Sequence, residues 1–233
     1  MKMLVNKGQT LVNLRQVVEK SYVPETVLIK CDDFVDNPQK VYQKIESCLS
    51  RKSPLIIRSS ASNEDSDVSS MAGQFESVLN VKFDLHEVSE AIRTVIHSYK
   101  DNGLAVSGEI VIVQNMIPKV MCSGVITTQY LHKGSNYYVI NYDDESGSTD
   151  TITSGSGIGI SKVLRVVRGH ENKLKSTRFT RLLDAVTELE KLCNSKTLDI
   201  EFAIDDNARP WILQVRPLII RNQVEIRSNV LFG

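Results

Sequence analysis

Residues 198–218 read LDIEFAIDDNARPWILQVRPL: two runs rich in β-branched and aromatic side chains on either side of the turn-forming DNARP, the pattern of a β-hairpin. Alternate residues of a strand share a face, so Asp199 and Glu201 point the same way, as do Gln214 and Arg216 on the partner strand. Ile200, Phe202, Ile212, Leu213 and Val215 mark the opposite face as the buried one. Two carboxylates, an amide and a guanidinium on one sheet face are costly to cover with core. Such a face suits Mg²⁺ and the phosphates it bridges, because magnesium takes hard oxygen ligands and keeps water and phosphate in its shell. It equally suits a solvent-exposed set of ion pairs. The hairpin alone leaves both readings open.

The chain as a whole has an ordinary soluble composition, with 233 residues, 41% hydrophobic and 24% charged. That length buries one substantial core or two modest lobes sharing a cleft. Lys plus Arg and Asp plus Glu balance at 28 each, so no global field attracts nucleic acid or an anionic membrane. No apolar run is long enough to span a bilayer, and the start, MKMLVNKGQT, lacks the apolar stretch of a signal peptide. Cys31, Cys48, Cys122 and Cys193 are scattered without a CxxC pair, which points to free thiols in a reducing cytoplasm. The four histidines, His86, His97, His132 and His170, have no metal-ligand partner at helical spacing.

A second stretch has the same character as the hairpin face. Residues 54–66, PLIIRSSASNEDS, leave an apolar strand at Arg58 and pass into serines and an acidic pair. Small residues let backbone N–H groups approach phosphate oxygens, Ser59 and Ser60 add hydroxyls, and Arg58 offers a planar fork to the same oxygens. Arg58 paired with Glu64 or Asp65, with the serines capping a helix, is the competing reading. Elsewhere the periodicities predict a helix over 10–20, a strand in ETVLIKC, a helix over 38–49 capped by Asn37, and a strand in FESVLNVKF. A helix follows over 84–103, with Asp84 and Glu87 as a capping box and Asn102-Gly103 as the stop. EIVIVQNMI, SGVITTQYL and NYYVINYDD read as three successive strands, and 178–194 as a helix. GSGIGI (155–160) fits neither common phosphate-loop pattern and reads as a turn. The basic cluster Lys162, Arg165, Arg168, Lys173, Lys175, Arg178 and Arg181 reads as a solvated face. The layout is α+β, two sheet-containing lobes with no linker-like stretch.

Five motifs, in order along the chain, resemble the nucleotide-binding domain of the phosphoenolpyruvate synthase and pyruvate phosphate dikinase family. RSSASNEDSDVSSMAGQFESVLNV (58–81) is similar to that family's Arg-Ser-Ser-Ala, Glu-Asp, Ala-Gly-Gln and Leu-Asn-Val run. VIVQNMIPKVMCSGVITT (111–128) resembles its Val-Gln-x-Met-(Val/Ile)-Pro strand with the following Ser-Gly-Val. TITSG (151–155) is similar to its Val-Val-Ser-Gly segment, NKGQTLVNL (6–14) to its glycine-lysine-glycine opening, and the final hairpin to its Asp-Ile-Glu and Leu-Gln-x-Arg-Pro-Leu pair.

The resemblance implies an ATP-grasp fold with ATP between the lobes, and ATP and Mg²⁺ as cofactors. It implies that Lys7 and Arg58 contact the phosphates, with Ser59, Ser60, Gly73 and Gln74 in the same loop system. Gln114, Asn115, Met116 and Ile117 would form the hinge whose backbone reads adenine. Glu201 and Gln214 would hold Mg²⁺, Asp199 would stand in its outer shell, and Arg216 would steady the terminal phosphates. No role falls to Glu64 or Asp65. The implied activity is an ATP-dependent phosphotransferase that passes a phosphoryl group to a histidine on a separate swivelling domain. From there it reaches pyruvate, or a non-pyruvate acceptor such as the glutamine amide, a glucan or a rifamycin. A non-catalytic ATP-binding regulatory module is the alternative.

The chain departs from the family pattern in several places. Asn6 stands where the family has glycine, the stretch between Lys7 and Arg58 is short, and the hairpin turn is long. No Thr-x-Gly-Gly…His motif and no pyruvate-binding barrel is present. The expected organisation is one ATP-grasp domain over 1–233, with lobes near 1–113 and 117–218. Residues 219–233 are then the start of a linker to a downstream domain, carried in the same longer chain or supplied in trans.

Overall fold

The computed structural model describes residues 2–61, 75–129, 136–145 and 162–218. Among these residues two antiparallel sheets carry the fold. The first holds β1 (Thr26–Lys30), β2 (Leu55–Ser60), β3 (Ser77–Val81) and β4 (Ile110–Asn115) in the order β1-β4-β2-β3. The second holds β5 (Val120–Thr127), β6 (Tyr137–Asp143), β7 (Lys162–Val167), β8 (Leu198–Asp205) and β9 (Pro210–Pro217) in the order β7-β6-β5-β8-β9. The helices are α1 (Lys7–Arg15), α2 (Cys31–Asp36), α3 (Pro38–Cys48), α4 (Leu85–Asp101) and α5 (Thr177–Leu192). The family-implied ATP-grasp arrangement of two sheet-containing lobes is what the chain adopts.

Local chemistry sets the helix ends. The Asn37 side chain accepts the Lys40 N–H at 2.9 Å with Pro38 in the first turn, and Asp84 accepts the N–H groups of His86 and Glu87. Only half of the expected capping box forms, because the Asp84 N–H is donated to the Lys82 carbonyl. Gly103, at φ +75°, ends the turn after α4.

Each sheet has its own core. Val41 and Ile45 of α3 and Val88, Ile92, Val95 and Tyr99 of α4 cover Val27, Ile29, Leu55, Ile57, Val111 and Val113. Leu182, Leu183, Val186 and Leu189 of α5 cover Ile126, Ile140, Ile200, Phe202 and Ile204. The N-terminal helix ties the two together. A Cβ on Gly8 would stand 2.6 Å from Leu28 Cδ2 and 3.2 Å from Ile112 Cγ1 of the first sheet, while Leu11 and Leu14 are buried in the second core. Tyr22 then closes the free edge of β9: its N–H bonds Pro210, its carbonyl accepts from Ile212, and its ring lies 5.1 Å from Trp211.

The structure corrects the sequence reading in three places. α1 runs from Lys7 to Arg15, earlier than expected, because Asn6 caps it through the Gln9 N–H at 2.8 Å. Beyond it the Glu188 carboxylate takes the N–H groups of Glu19 and Lys20, which holds the chain off the helical path. Strand β7 and helix α2 were not foreseen. The basic residues around β7 are not simply a solvated face: Arg168 binds Glu190 and the Thr128 carbonyl and stacks over Tyr138, while Lys162 and Arg178 share Asp144. Those contacts hold Asp144 below the usual carboxylate range, the Lys162 hydrogen bond first.

Candidate active site

Strand register sorts the inner faces of both sheets. In the first sheet Thr26, Gln114 and Ile56 form one row, and Leu28, Ile112 and Arg58 the next, all on the side turned away from α3 and α4. In the second sheet Asn141, Val125, Glu201 and Gln214 form one row. Arg165, Val139, Thr127, Asp199 and Arg216 form its neighbour, on the side turned away from α5. The long spacing in sequence between Arg58 and the hairpin is closed here. Arg58 Nη2 reaches Glu201 Oε2 at 3.2 Å and its Nη1 reaches the Leu213 carbonyl at 3.5 Å. Their side chains are 12% and 17% exposed, so the contact lies inside the cleft between the sheets.

Within the hairpin, Arg216 Nε and Nη2 both donate to Asp199 Oδ2, at 2.9 and 2.8 Å. Asp199 Oδ1 is buried without a hydrogen-bond partner. Burial pushes the Asp199 carboxyl above its ordinary range, the Arg216 guanidinium pulls it down, and the Glu201 carboxylate beside it pushes it up again; the net direction is upward. Gln214 is 4% exposed and lies opposite Glu201 in register.

At the other side of the cleft, Lys7 is buried at the N-terminus of α1, and Gly8 N–H donates to Ser60 Oγ at 3.2 Å. The Ser60 N–H in turn donates to the Tyr99 hydroxyl at 2.9 Å, and that hydroxyl donates to the Ile110 carbonyl at 2.7 Å. Ser60 and Ile110 are register partners, so a tyrosine oxygen stands at the last rung between β2 and β4. Ser59 is buried and alternates to the opposite side from Arg58, toward α4, so the strand does not bring its side chain to the cleft. Gly73 and Gln74, like Glu64, Asp65 and the 151–160 segment, lie outside the described residues.

The hinge follows β4. Gln114 is buried and its side-chain amide donates to Thr26 Oγ1 at 2.8 Å. The Asn115 side chain is committed to the backbone of Ser50 and Ser53. Met116 N–H donates to the Pro54 carbonyl, but Pro54, lacking an N–H, cannot return the second bond of that rung. Pro54, just before β2, thus supplies no N–H to the Met116 carbonyl, next to the Ile117 backbone that leads into β5.

The sequence reading missed Tyr99 and the cleft-facing residues Asn141, Thr127 and Arg165. In the sequence Tyr99 falls in step with the buried apolar positions Val88, Ile92 and Val95 of α4, and the other three become visible only once β5, β6 and β7 are in register. Among the described residues no three His, Cys, Asp or Glu side chains gather in a metal-holding group. A cavity of about 280 Å³ lies between α1, the start of β1 and the end of α3, with Thr26 in its lining, and one of about 630 Å³ lies between the starts of α3 and α4.

The family model described as the AMP/ATP-binding domain of pyruvate phosphate dikinase matches residues 9–145, more than half of the chain. The chain belongs to this family. Lys7 and the β8–β9 hairpin of this family member lie outside the matched span. An acetyl-coenzyme A synthetase of Ca. Korarchaeum cryptofilum superposes with a TM-score of 0.53 at 10% identity, over 92% of this chain and 93% of that one. An L-amino acid ligase from Bacillus licheniformis gives 0.51 at 15% identity, over 92% and 40%. A D-alanine-D-alanine ligase from Helicobacter pylori gives 0.50 at 12% identity, over 92% and 54%, so the chain spans about half the length of that ligase. No curated protein matches the sequence.

Proposed function

We propose that the chain is the ATP-using domain of a phosphotransferase, delivering a phosphoryl group to a histidine on a separate swivelling domain. The observation that carries this reading is the meeting of Arg58 from the first sheet with Glu201 from the second, with Gln214, Asp199 and Arg216 on the same inner face. A cation and an acid facing each other across a cleft are the two halves of a site for a metal-bound polyphosphate. The catalytic demand in phosphoryl transfer is positioning and charge neutralisation, which these groups supply without a nucleophile of their own.

Arg58 would hold the phosphates from the first sheet and Lys7 from the start of α1, with Arg216, clamped by Asp199, steadying the terminal phosphates. The hinge would read adenine through backbone, because the Gln114 and Asn115 side chains are already engaged while the Met116 carbonyl lacks its ladder donor. The donor set fits Mg²⁺: Glu201 and the Gln214 amide are hard oxygen ligands, and the partnerless Oδ1 of Asp199 suits its outer shell. When bound there, the ion would neutralise charge on the transferring phosphates. The lobe limits near residues 113 and 117 and a linker role for 219–233 belong to the same proposal. So do a soluble cytoplasmic setting and pyruvate or the glutamine amide as final acceptors. No helix among the described residues is long and apolar enough to cross a membrane.

Incubating the chain with Mg²⁺, ATP labelled in its β and γ phosphates, and the histidine-bearing domain of a family member tests this. Acid-labile label on the histidine with release of AMP and phosphate is the expected result. Tight ATP binding with no transfer would instead identify a non-catalytic regulatory module.

A further inference from the structure

The cavity of about 630 Å³ between the start of α3 and the first turns of α4 belongs to the helical layer of the first sheet, on the side opposite to Arg58 and the cleft. Ser89 stands in its wall with 7% of its surface exposed, and among the described residues its hydroxyl has no hydrogen-bond partner. A hydroxyl buried in this way costs free energy that a ligand in the cavity would recover. We propose that the cavity is a second small-molecule site and takes a free α-amino acid, its carboxylate on Ser89 and Arg93 and its ammonium group on Asp36 and Asp84.

The lining carries both signs of charge, in separate places. Ser89 and Arg93 are one turn apart on α4, so their side chains meet on one flank of the helix. Arg93 is held from two sides, by an Nη1 hydrogen bond to the Glu90 carboxylate and by the Phe34 ring, 5.8 Å from its guanidinium carbon. Its other N–H groups have no partner among the described residues and form, with the Ser89 hydroxyl, a donor set for a carboxylate. The acids stand at the other end. Asp84 caps α4 through Oδ1 alone, and the carboxylate of Asp36, the last residue of α2, has no partner among the described residues. A simple anion would be repelled by these two carboxylates and a simple cation by Arg93, whereas a zwitterion meets its complement at both ends. Asp84 and Ser89 are about 7–8 Å apart along the helix axis at 1.5 Å per residue. Hydrogen bonds of about 3 Å at each end leave room for the single carbon between the two charged groups of an α-amino acid. The rest of the volume holds the amino-acid side chain.

The test screens the proteinogenic L-amino acids against the full chain by thermal melting and measures the affinity of each hit by calorimetry. The methyl ester and the N-acetyl derivative of a hit should bind at least about tenfold more weakly, since each cancels one of the two charges. Ser89→Ala and Arg93→Gln should each lower the affinity about tenfold. Without ligand, Ser89→Ala should melt no lower than wild type, because the hydroxyl bonds nothing in the free protein and alanine is the better helix former. Saturating ATP with Mg²⁺ should leave amino-acid binding in place. A screen without a hit, or a hit whose affinity both variants leave unchanged, would overturn the proposal. So would a hit displaced by ATP and lost in Arg58→Met, which places the amino acid in the cleft between the sheets. Derivatives that bind as well as the zwitterion overturn the two-ended recognition, and a Ser89→Ala variant that melts below wild type gives the hydroxyl a structural partner instead of a ligand.

Discussion

Tyr99→Phe removes one buried oxygen and leaves two backbone groups without a partner. The Tyr99 side chain is fully buried, its hydroxyl accepts the Ser60 N–H at 2.9 Å and donates to the Ile110 carbonyl at 2.7 Å. Each buried group left unsatisfied costs about 1–3 kcal/mol, so the variant should lose about 2–6 kcal/mol if the strand end cannot close up. For a chain of this size that corresponds to a fall in Tm of roughly 4–24 °C. Urea and thermal unfolding measure it directly. The effect should also spread along one path: Ser60 Oγ accepts the Gly8 N–H, so hydrogen exchange should speed up at Ser60 and Gly8 before it does so at α5. A loss below about 0.5 kcal/mol, with Gly8 still protected, would refute the reasoning, since it would mean that β2 and β4 bond each other at least as well without the hydroxyl.

Gly124→Ala should destabilise by about 3 kcal/mol or more, because the new Cβ would lie 2.1 Å from the Asn141 carbonyl oxygen and 2.9 Å from Tyr142 Cα, both backbone atoms; unfolding in urea reads it. Asp199 has a raised native pKa, so the native state binds its proton more tightly than the unfolded chain, and its contribution to stability falls as pH rises through that window. Wild-type stability relative to Asp199→Asn should therefore improve from pH 7 toward pH 4 in paired melts, whereas a constant difference would remove the burial argument. Burial pushes the Cys31 and Cys122 thiols up to about 12 and Cys193 to about 11, while Cys48 is exposed. A thiol reagent at pH 8 should modify Cys48 rapidly and the other three only on unfolding.

The hairpin was legible because a strand repeats every two residues, and LDIEF and LQVRP carry apolar and polar positions in strict alternation. The helices of the first lobe were equally legible from their periodicities and from the caps Asn37 and Asp84. β7 was not, since Lys162 shares a face with Leu164 and Val166, so charged and apolar positions do not separate and the run reads as surface. Its partner Tyr142–Tyr137 pairing becomes apparent only in three dimensions. The identity of the candidate residues came from motif order, but their relations did not. Nothing local says that Arg58 faces Glu201, that Ser59 turns away while Ser60 holds Gly8, or that Asp199 serves Arg216. Those are consequences of register and of how two sheets approach, which no spacing in the chain encodes.

The most direct measurement compares ATP binding with phosphoryl transfer in Glu201→Ala. Transfer to the histidine-bearing domain should fall by about 10²–10³, the usual cost of deleting one charge-stabilising group, while ATP binding in Mg²⁺ weakens far less. Equal losses in both would contradict the assignment of Glu201 to the transferring phosphates, and wild-type protein that binds ATP without any transfer would contradict the phosphotransferase reading itself.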